Sequence, residues 1–248
     1  ILLSFGITSI SYFQGDKIAL MTSGAKLANK DGDRYVYNML ENLCITAGTP
    51  MPKLYIIEDQ AINAFATGRK PELASVAVTR GAIEKLENEE LEGVLAHELS
   101  HIKNYDIRFM MLVAVLVGSI SIMANIFLYS GRTGRSNNRE GGNGIAIFAI
   151  IGIILAILSP IIAEIIKLAV SRRREYLADA SGALITRYPE GLARALEKIA
   201  NDNKPLAQAS QATAHLFFSN PFSGKKLSSL FSTHPPVEDR IKKLREMA

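Results

Sequence analysis

His97-Glu98-Leu99-Ser100-His101 places two imidazoles four positions apart, with a carboxylate beside the first. In an α-helix, positions i and i+4 share a face with Cβ atoms about 5–6 Å apart, so both rings can reach one ion. The His-Glu-x-x-His pattern is the arrangement of a hydrolytic zinc site. The chemistry needs neutral nitrogen ligands, an open coordination position and a base beside the activated water. Glu98 can address that water without being a ligand. The preceding residues must therefore form a helix, and they carry its signals. Asn88 reads as the N-cap, Glu89, Glu90 and Glu92 sit where the helix dipole favours acids, and Val94, Leu95, Leu99 and Ile102 make an apolar face.

A catalytic zinc takes three protein ligands. The third must be a His, Glu or Asp brought to the same place by the fold. The best candidate block is Ser171-Arg172-Arg173-Arg174-Glu175-Tyr176-Leu177-Ala178-Asp179-Ala180. Glu175 and Asp179 are again i and i+4. Glu175 would complete the coordination, and Asp179 would accept the outer N–H of a ligand imidazole and fix its tautomer. Ala178 and Ala180 allow a close helix approach. Taken alone, this pair reads as solvated acids neutralised by the arginine run; beside the histidine motif it reads as the missing ligand.

The chain has 248 residues, enough for one large domain or two small ones, and it is 48% apolar without a tryptophan. Its 28 Lys+Arg against 24 Asp+Glu are too nearly balanced to argue for a nucleic-acid partner. The one cysteine, Cys44, excludes an internal disulfide and a cysteine-ligated zinc, and it reads as a small buried helix residue. The apolar excess is concentrated. Phe109 to Tyr129 is 21 residues without a charge, and Ile145 to Ala163 is another 19, each long enough to cross a bilayer as a helix. The connection from Ser130 to Gly144 is polar and glycine-rich. Together these read as a transmembrane hairpin, with a pair of long core helices as the alternative.

Two spans return the chain to the side it left, so the two blocks of candidate ligands share one face. Lys103, Arg108, Arg172, Arg173, Arg174 and Arg187 flank the hairpin, against Arg132, Arg135 and Arg139 in its loop, which favours a cytoplasmic site. Ile1 to Phe13 is apolar but too short to span. The chain does not begin with Met, and a fragment lacking an upstream membrane segment is expected, without a signal peptide. Glu164 and Lys167 read as an interfacial pair at the end of the second span.

The sequence resembles the HtpX-type membrane metallopeptidases, relatives of the type-1 CAAX prenyl proteases. The resemblance rests on the His97–His101 helix, the block from Ser171 to Asp179, the run Asn63-Ala64-Phe65-Ala66-Thr67-Gly68 and the tail Thr233-His234-Pro235-Pro236-Val237-Glu238-Asp239-Arg240-Ile241. The segment from Thr213 to Pro221 is also similar. The match runs from about residue 30 to the end. The resemblance implies one zinc per chain on His97, His101 and Glu175, with Glu98 as general base and Asp179 behind a ligand. It also implies that Asn63 and Ala64 pair with the substrate backbone by strand addition. By local sequence alone, Asn63-Ala64-Phe65 is a loop before a strand. In the family pattern, His234 with Arg240 could donate to the negative charge of the tetrahedral intermediate; the plain alternative is a packing histidine and a surface arginine. His215, among Leu216, Phe217 and Phe218, reads as structural. Further implications are polypeptide substrates, chiefly misfolded or damaged membrane proteins, and a multi-pass inner-membrane enzyme of quality control and the stress response, in contact with the lipid bilayer.

The expected fold is mainly α with a small β-sheet (α+β), a zincin-like core with an inserted transmembrane helical hairpin. Helices are expected at Asp33–Ala47, Gly191–Asn201 and Val237–Met247, and strands at Leu54–Glu58 and Ala74–Thr79. The expected divisions are a residual membrane segment at 1–29, a first catalytic part at 30–108, the hairpin at 109–170 and a second catalytic part at 171–248. Two rival functions remain open. One is a membrane-anchored scaffold without turnover, which has no use for Glu98; the other is a prenyl-protein processing enzyme, for which two spans make a small chamber. A transporter or receptor is disfavoured by so few spans.

Overall fold

The structure, a computed structural model, describes residues 14–113, 115, 154, 172–202, 204–208, 213–219, 221 and 235–247. A helix at 14–22 precedes β1 (Ala25–Leu27), α1 (Arg34–Ala47), β2 (Lys53–Ile57), β3 (Ala64–Thr67) and β4 (Ser75–Thr79). Next come α2 (Arg80–Lys85), α3 (Asn88–Lys103) and a helical stretch at 106–113. Then follow α4 (Arg172–Thr186), α5 (Pro189–Asn201), a 3-10 turn at Ala214–Leu216 and α6 (Val237–Arg245).

The four strands form one sheet in the order β1-β2-β4-β3, with β2 and β4 parallel and the other pairs antiparallel. Side chains alternate across a strand, and the sheet sorts them cleanly. Leu54, Ile56, Ala64, Ala66, Val76 and Val78 point into a core shared with α1, α3 and α5. Ile57, Phe65 and Ala77 point the other way, into a second cluster with Leu20, Met110, Leu216 and Phe217. Strand β4, inside the sheet, is buried along its whole length on both faces.

The sequence expectation of two strands was short by two. Asn63-Ala64-Phe65 opens into β3, and β1 precedes α1. Both are brief, and β3 is buried on both faces, so neither shows the alternation that marks a half-buried strand. The helix carrying the histidines begins one residue earlier than expected. Glu87, not Asn88, is its N-cap, in a capping box in which the Glu87 N–H donates to Glu90 Oε2 at 2.8 Å. Asn88 Oδ1 instead accepts from the Tyr35 hydroxyl at 2.9 Å. Cys44 is buried, as a small helix residue should be.

The runs 109–129 and 145–163 lie outside the described residues, apart from 109–113, 115 and 154. Among the described residues no helix is long and apolar enough to cross a membrane. The Glu164–Lys167 pair, His234 and the side chain of His215 also lie outside them. The parts before and after the insertion share one hydrophobic core, in which Leu91, Leu95 and Leu99 of α3 meet Leu192 and Leu196 of α5 and Leu244 of α6.

Candidate metal centre

Helix α3 crosses α4 with almost no space between them. A Cβ on Gly182 of α4 would stand 3.1 Å from the backbone nitrogen of His97, so the glycine sets the distance between the two helices at the first histidine. One turn earlier along α3, a Cβ on Gly93 would meet the Leu192 backbone at 2.8 Å, which seats α5 on the same helix. On α4, Glu175, Ala178, Asp179, Gly182 and Ala183 are the buried residues, a stripe of acids and small side chains facing α3.

That stripe brings the expected ligands together. His97 Nε2 and His101 Nε2 are 3.1 Å apart. Glu175 Oε1 lies 3.4 Å from His101 Nε2, and Glu175 Oε2 lies 3.8 Å from His97 Nε2. Metal–ligand bonds of about 2.0–2.2 Å at tetrahedral angles separate ligand atoms by about 3.3–3.6 Å. The observed triangle matches that size. Among the described residues, His97, His101 and Glu175 are the group of His, Cys, Asp or Glu side chains that can hold a metal ion, and all three are buried.

The outer face of each imidazole meets a carboxylate. His97 Nδ1 is 2.9 Å from Asp179 Oδ1, which turns Nε2 toward the ion position. His101 Nδ1 is 3.0 Å from Asp106 Oδ2. Asp106 was missed in the sequence. It lies five residues beyond His101, past the end of α3, and reaches back because Tyr105 adopts a left-handed backbone with φ 59°. The available signal was an acid one turn beyond the second histidine. The other Asp106 oxygen is 3.1 Å from Arg174 Nη1, so one carboxylate ties a ligand ring to the start of α4.

Arg240 comes from α6 and is 1% exposed. Its Nε and Nη2 donate to Asp179 Oδ2 and Oδ1 at 2.8 and 2.7 Å, and its Nη1 lies 3.7 Å from Glu175 Oε2. The guanidinium is thus neither a surface group nor turned to an open cleft; it grips the acid behind His97. Glu98 is 2% exposed within the same buried cluster. Phe218 closes the site from the sheet side, its ring edge-on to His97 at 4.8 Å and 4.9 Å from the Arg240 guanidinium.

Burial opposes charge on all of these groups, and their partners decide the outcome. Burial would raise the Asp179 carboxyl, but Arg240 and His97 outweigh it and hold it at about 2. Burial pushes the His97 imidazolium down despite Asp179. At His101, burial would lower the imidazolium, but the hydrogen bonds its ring donates to Asp106 and Glu175 outweigh it and raise it. When Glu98, Asp106, Glu175 and Asp179 are all ionised and the imidazoles neutral, Arg174 and Arg240 leave two negative charges unbalanced in the cluster. A divalent cation supplies that balance, and the nitrogen–carboxylate donor set suits zinc. The residues fit the ion on size, donor type and charge.

Asn63 and Ala64 are 3% and 0% exposed. The Asn63 amide donates to Ser219 O at 3.0 Å and accepts from Ser219 N at 3.2 Å. Ala64 O accepts from Phe218 N at 2.8 Å. The groups expected to pair with a substrate thus pair with the chain's own residues.

Peptidase family M48 matches residues 30–248 of the chain. A protein named "Protease HtpX homolog" from Tropheryma whipplei (strain TW08/27) is 47% identical over 247 residues, covering 100% of this chain and 84% of that protein. Another of the same name, from Thermoanaerobacter pseudethanolicus, is 48% identical over 241 residues, covering 96% of this chain and 80% of its own length. The crystal structure of S. mikatae Ste24p is similar with a TM-score of 0.60 and 20% identity, covering 98% of this chain. The chain spans 57% of the Ste24p chain, and the likeness is one of fold.

Proposed function

The chain belongs to peptidase family M48, and we propose that it is a membrane-bound zinc endopeptidase that hydrolyses misfolded or damaged membrane proteins. That it is a metalloprotease, a hydrolase of the HtpX type, follows from the family and from relatives named as proteases. The finer reading rests on one observation above the others: two imidazole nitrogens and a carboxylate from separate helices converge at 3.1–3.8 Å in a buried place, each ring backed by an acid.

In this reading His97, His101 and Glu175 hold zinc. When bound, zinc lowers the pKa of a coordinated water toward about 7 and polarises a carbonyl oxygen. Glu98 takes the proton from the attacking water on its carboxylate and passes it to the leaving amine. Asp179 and Asp106 keep the rings oriented, and Arg240 keeps Asp179 ionised and in place. Arg240 therefore works through Asp179 and not by touching the substrate. His234 is the remaining candidate donor to the oxyanion. Asn63 and Ala64 pair with an extended substrate.

The membrane assignment comes from the two uncharged runs at 109–129 and 145–163, the first of which begins within the helix at 106–113. Each is long enough for one span, and the flanking basic residues favour a site on the cytoplasmic side. The relatives' substrates enter only as polypeptides; membrane proteins are favoured because the site lies next to the insertion.

The test is hydrolysis of unfolded casein and of an unfolded membrane protein by the zinc-loaded chain in detergent. Glu98→Gln is expected to lower turnover by about 10²–10⁴-fold while one zinc per chain is retained. Hydrolysis by that variant at the parental rate would overturn the assignment. A farnesylated CAAX peptide cleaved in preference to unfolded protein would move the reading to prenyl-protein processing.

A further inference from the structure

Strand β3 lies at the edge of the sheet, with β4 on its inner side. Its outer side is the one a peptide would use, but it is taken. Phe217 forms an antiparallel bridge with Phe65, with the rings 4.9 Å apart and edge-on. The Phe218 N–H donates to Ala64 O, and both ends of the Asn63 amide are used by the Ser219 backbone. The adjoining ring of Phe218 sits on His97. His97, Glu98, His101 and Glu175 are each 3% exposed or less, so no peptide reaches them in this arrangement.

Resting on the peptidase reading above, we propose that Phe217–Ser219 is an internal segment that occupies the docking edge of β3 as a strand would, and that a polypeptide reaches the metal site by displacing it. The competitor must offer what the internal segment offers: an extended backbone with a free N–H for Ala64 O and a free peptide unit for the Asn63 amide. A folded protein has its backbone groups committed; an unfolded segment does not. Among the described residues the segment meets β3 through one bridge, the Phe218 N–H on Ala64 O and the two Asn63–Ser219 hydrogen bonds, so an extended chain that pairs along more of β3 can replace it. The device selects unfolded substrate by backbone availability, whatever the side chains. While the segment is seated, the apparent affinity for substrate is reduced by the fraction of molecules that are open.

A reversible crosslink tests this in the full zinc-loaded chain in detergent. Phe65→Cys and Phe217→Cys, introduced with Cys44→Ala, pair two facing residues of the bridge. The oxidised protein is expected to hydrolyse reduced, alkylated casein at least about tenfold more slowly than the same sample after dithiothreitol. Equal rates from the crosslinked and reduced forms overturn displacement of the internal segment. A reduced, zinc-loaded form that leaves casein intact is a different result, which overturns the peptidase reading and this inference with it.

Because both rings are buried, a gentler pair of measurements guards against misfolding. Ser219→Pro removes one N–H that holds the segment to Asn63, and is expected to lower KM for casein by about fivefold with kcat little changed. An unchanged or higher KM counts against the proposal. In a Glu98→Gln background, the thiol introduced by Phe217→Cys should react with a maleimide at least about tenfold faster when casein is bound, because a displaced segment exposes it. Casein binding, followed by anisotropy, without faster labelling overturns displacement.

Discussion

Helix α3 buries every residue from Gly93 to Ile102, whereas α4 buries only Glu175, Ala178, Asp179, Gly182 and Ala183 and leaves Leu177 and Leu184 at 54% and 78% exposure. The two helices supply the same candidate site by different means. In α3 the histidines and Glu98 sit among Val94, Leu95, Leu99 and Ile102, so removing water from apolar surface fixes them. In α4 the inward stripe is acidic and small. Its position comes from close backbone contact at Gly182 and from charges: Arg240 on Asp179, Arg174 on Asp106, and Glu175 facing two imidazoles. The first helix therefore carries stability along with chemistry, and the second carries chemistry with little apolar support of its own.

The sharpest break in that comparison pairs one substitution in each helix. Glu175→Ala should abolish casein hydrolysis, a loss of about 10³-fold or more, and remove zinc from the purified protein while the circular dichroism spectrum stays folded. Leu95→Ala should do the reverse: stability falls by about 2–5 kcal/mol in denaturant unfolding, while the folded fraction keeps one zinc per chain. Arg240→Gln is expected to be of similar size. It leaves the Asp179 carboxylate buried without its paired cation, which costs about 3–5 kcal/mol in the same unfolding experiment. The Asp179 carboxyl, held low by Arg240, should then titrate at higher pH. Its contribution is present above its unfolded pKa and lost as pH falls through the folded one. The acid limb of stability should therefore begin at higher pH in the variant.

A smaller effect is expected from Asp106→Asn. The His101 ring keeps a neighbour but loses its carboxylate, and zinc affinity measured by chelator competition should fall by about 10–100-fold. Smallest is Leu184→Gln on the solvent face of α4, expected within about 0.5 kcal/mol of the parent and without effect on zinc. A large loss there would mean that α4 draws apolar support from its outer face.

These contrasts also explain what was legible in the sequence. Helix α3 announced itself because its apolar face, acidic first turn and histidine spacing agree with one another. Its cap was misplaced by one residue because Glu87 seldom fills that position. Glu175 and Asp179 showed their i, i+4 relation, but their burial depends on Gly182 and on Arg240 from the far end of the chain. No local pattern reports either. Strand β3 was hidden because Ala64, Phe65, Ala66 and Thr67 are all buried, which erases the alternation expected of an edge strand. Asp106 was overlooked because its approach to His101 depends on a left-handed turn at Tyr105, a conformation that tyrosine does not advertise. The pairing of Asn63 and Ala64 with residues 218–219 joins points far apart in the chain, and only the folded sheet edge brings them together.

The carboxylate of Asp106 touches His101 on one side and Arg174 on the other. Between the two contacts the chain forms the helix at 106–113, with Ile107 in the shared core, and then runs through residues 114–171. That stapled doorway makes the catalytic body modular. A segment joining two such fixed ends can lengthen, shorten or be exchanged at a closure cost that grows only with the logarithm of its length, while the spacing between α3 and α4 stays the same.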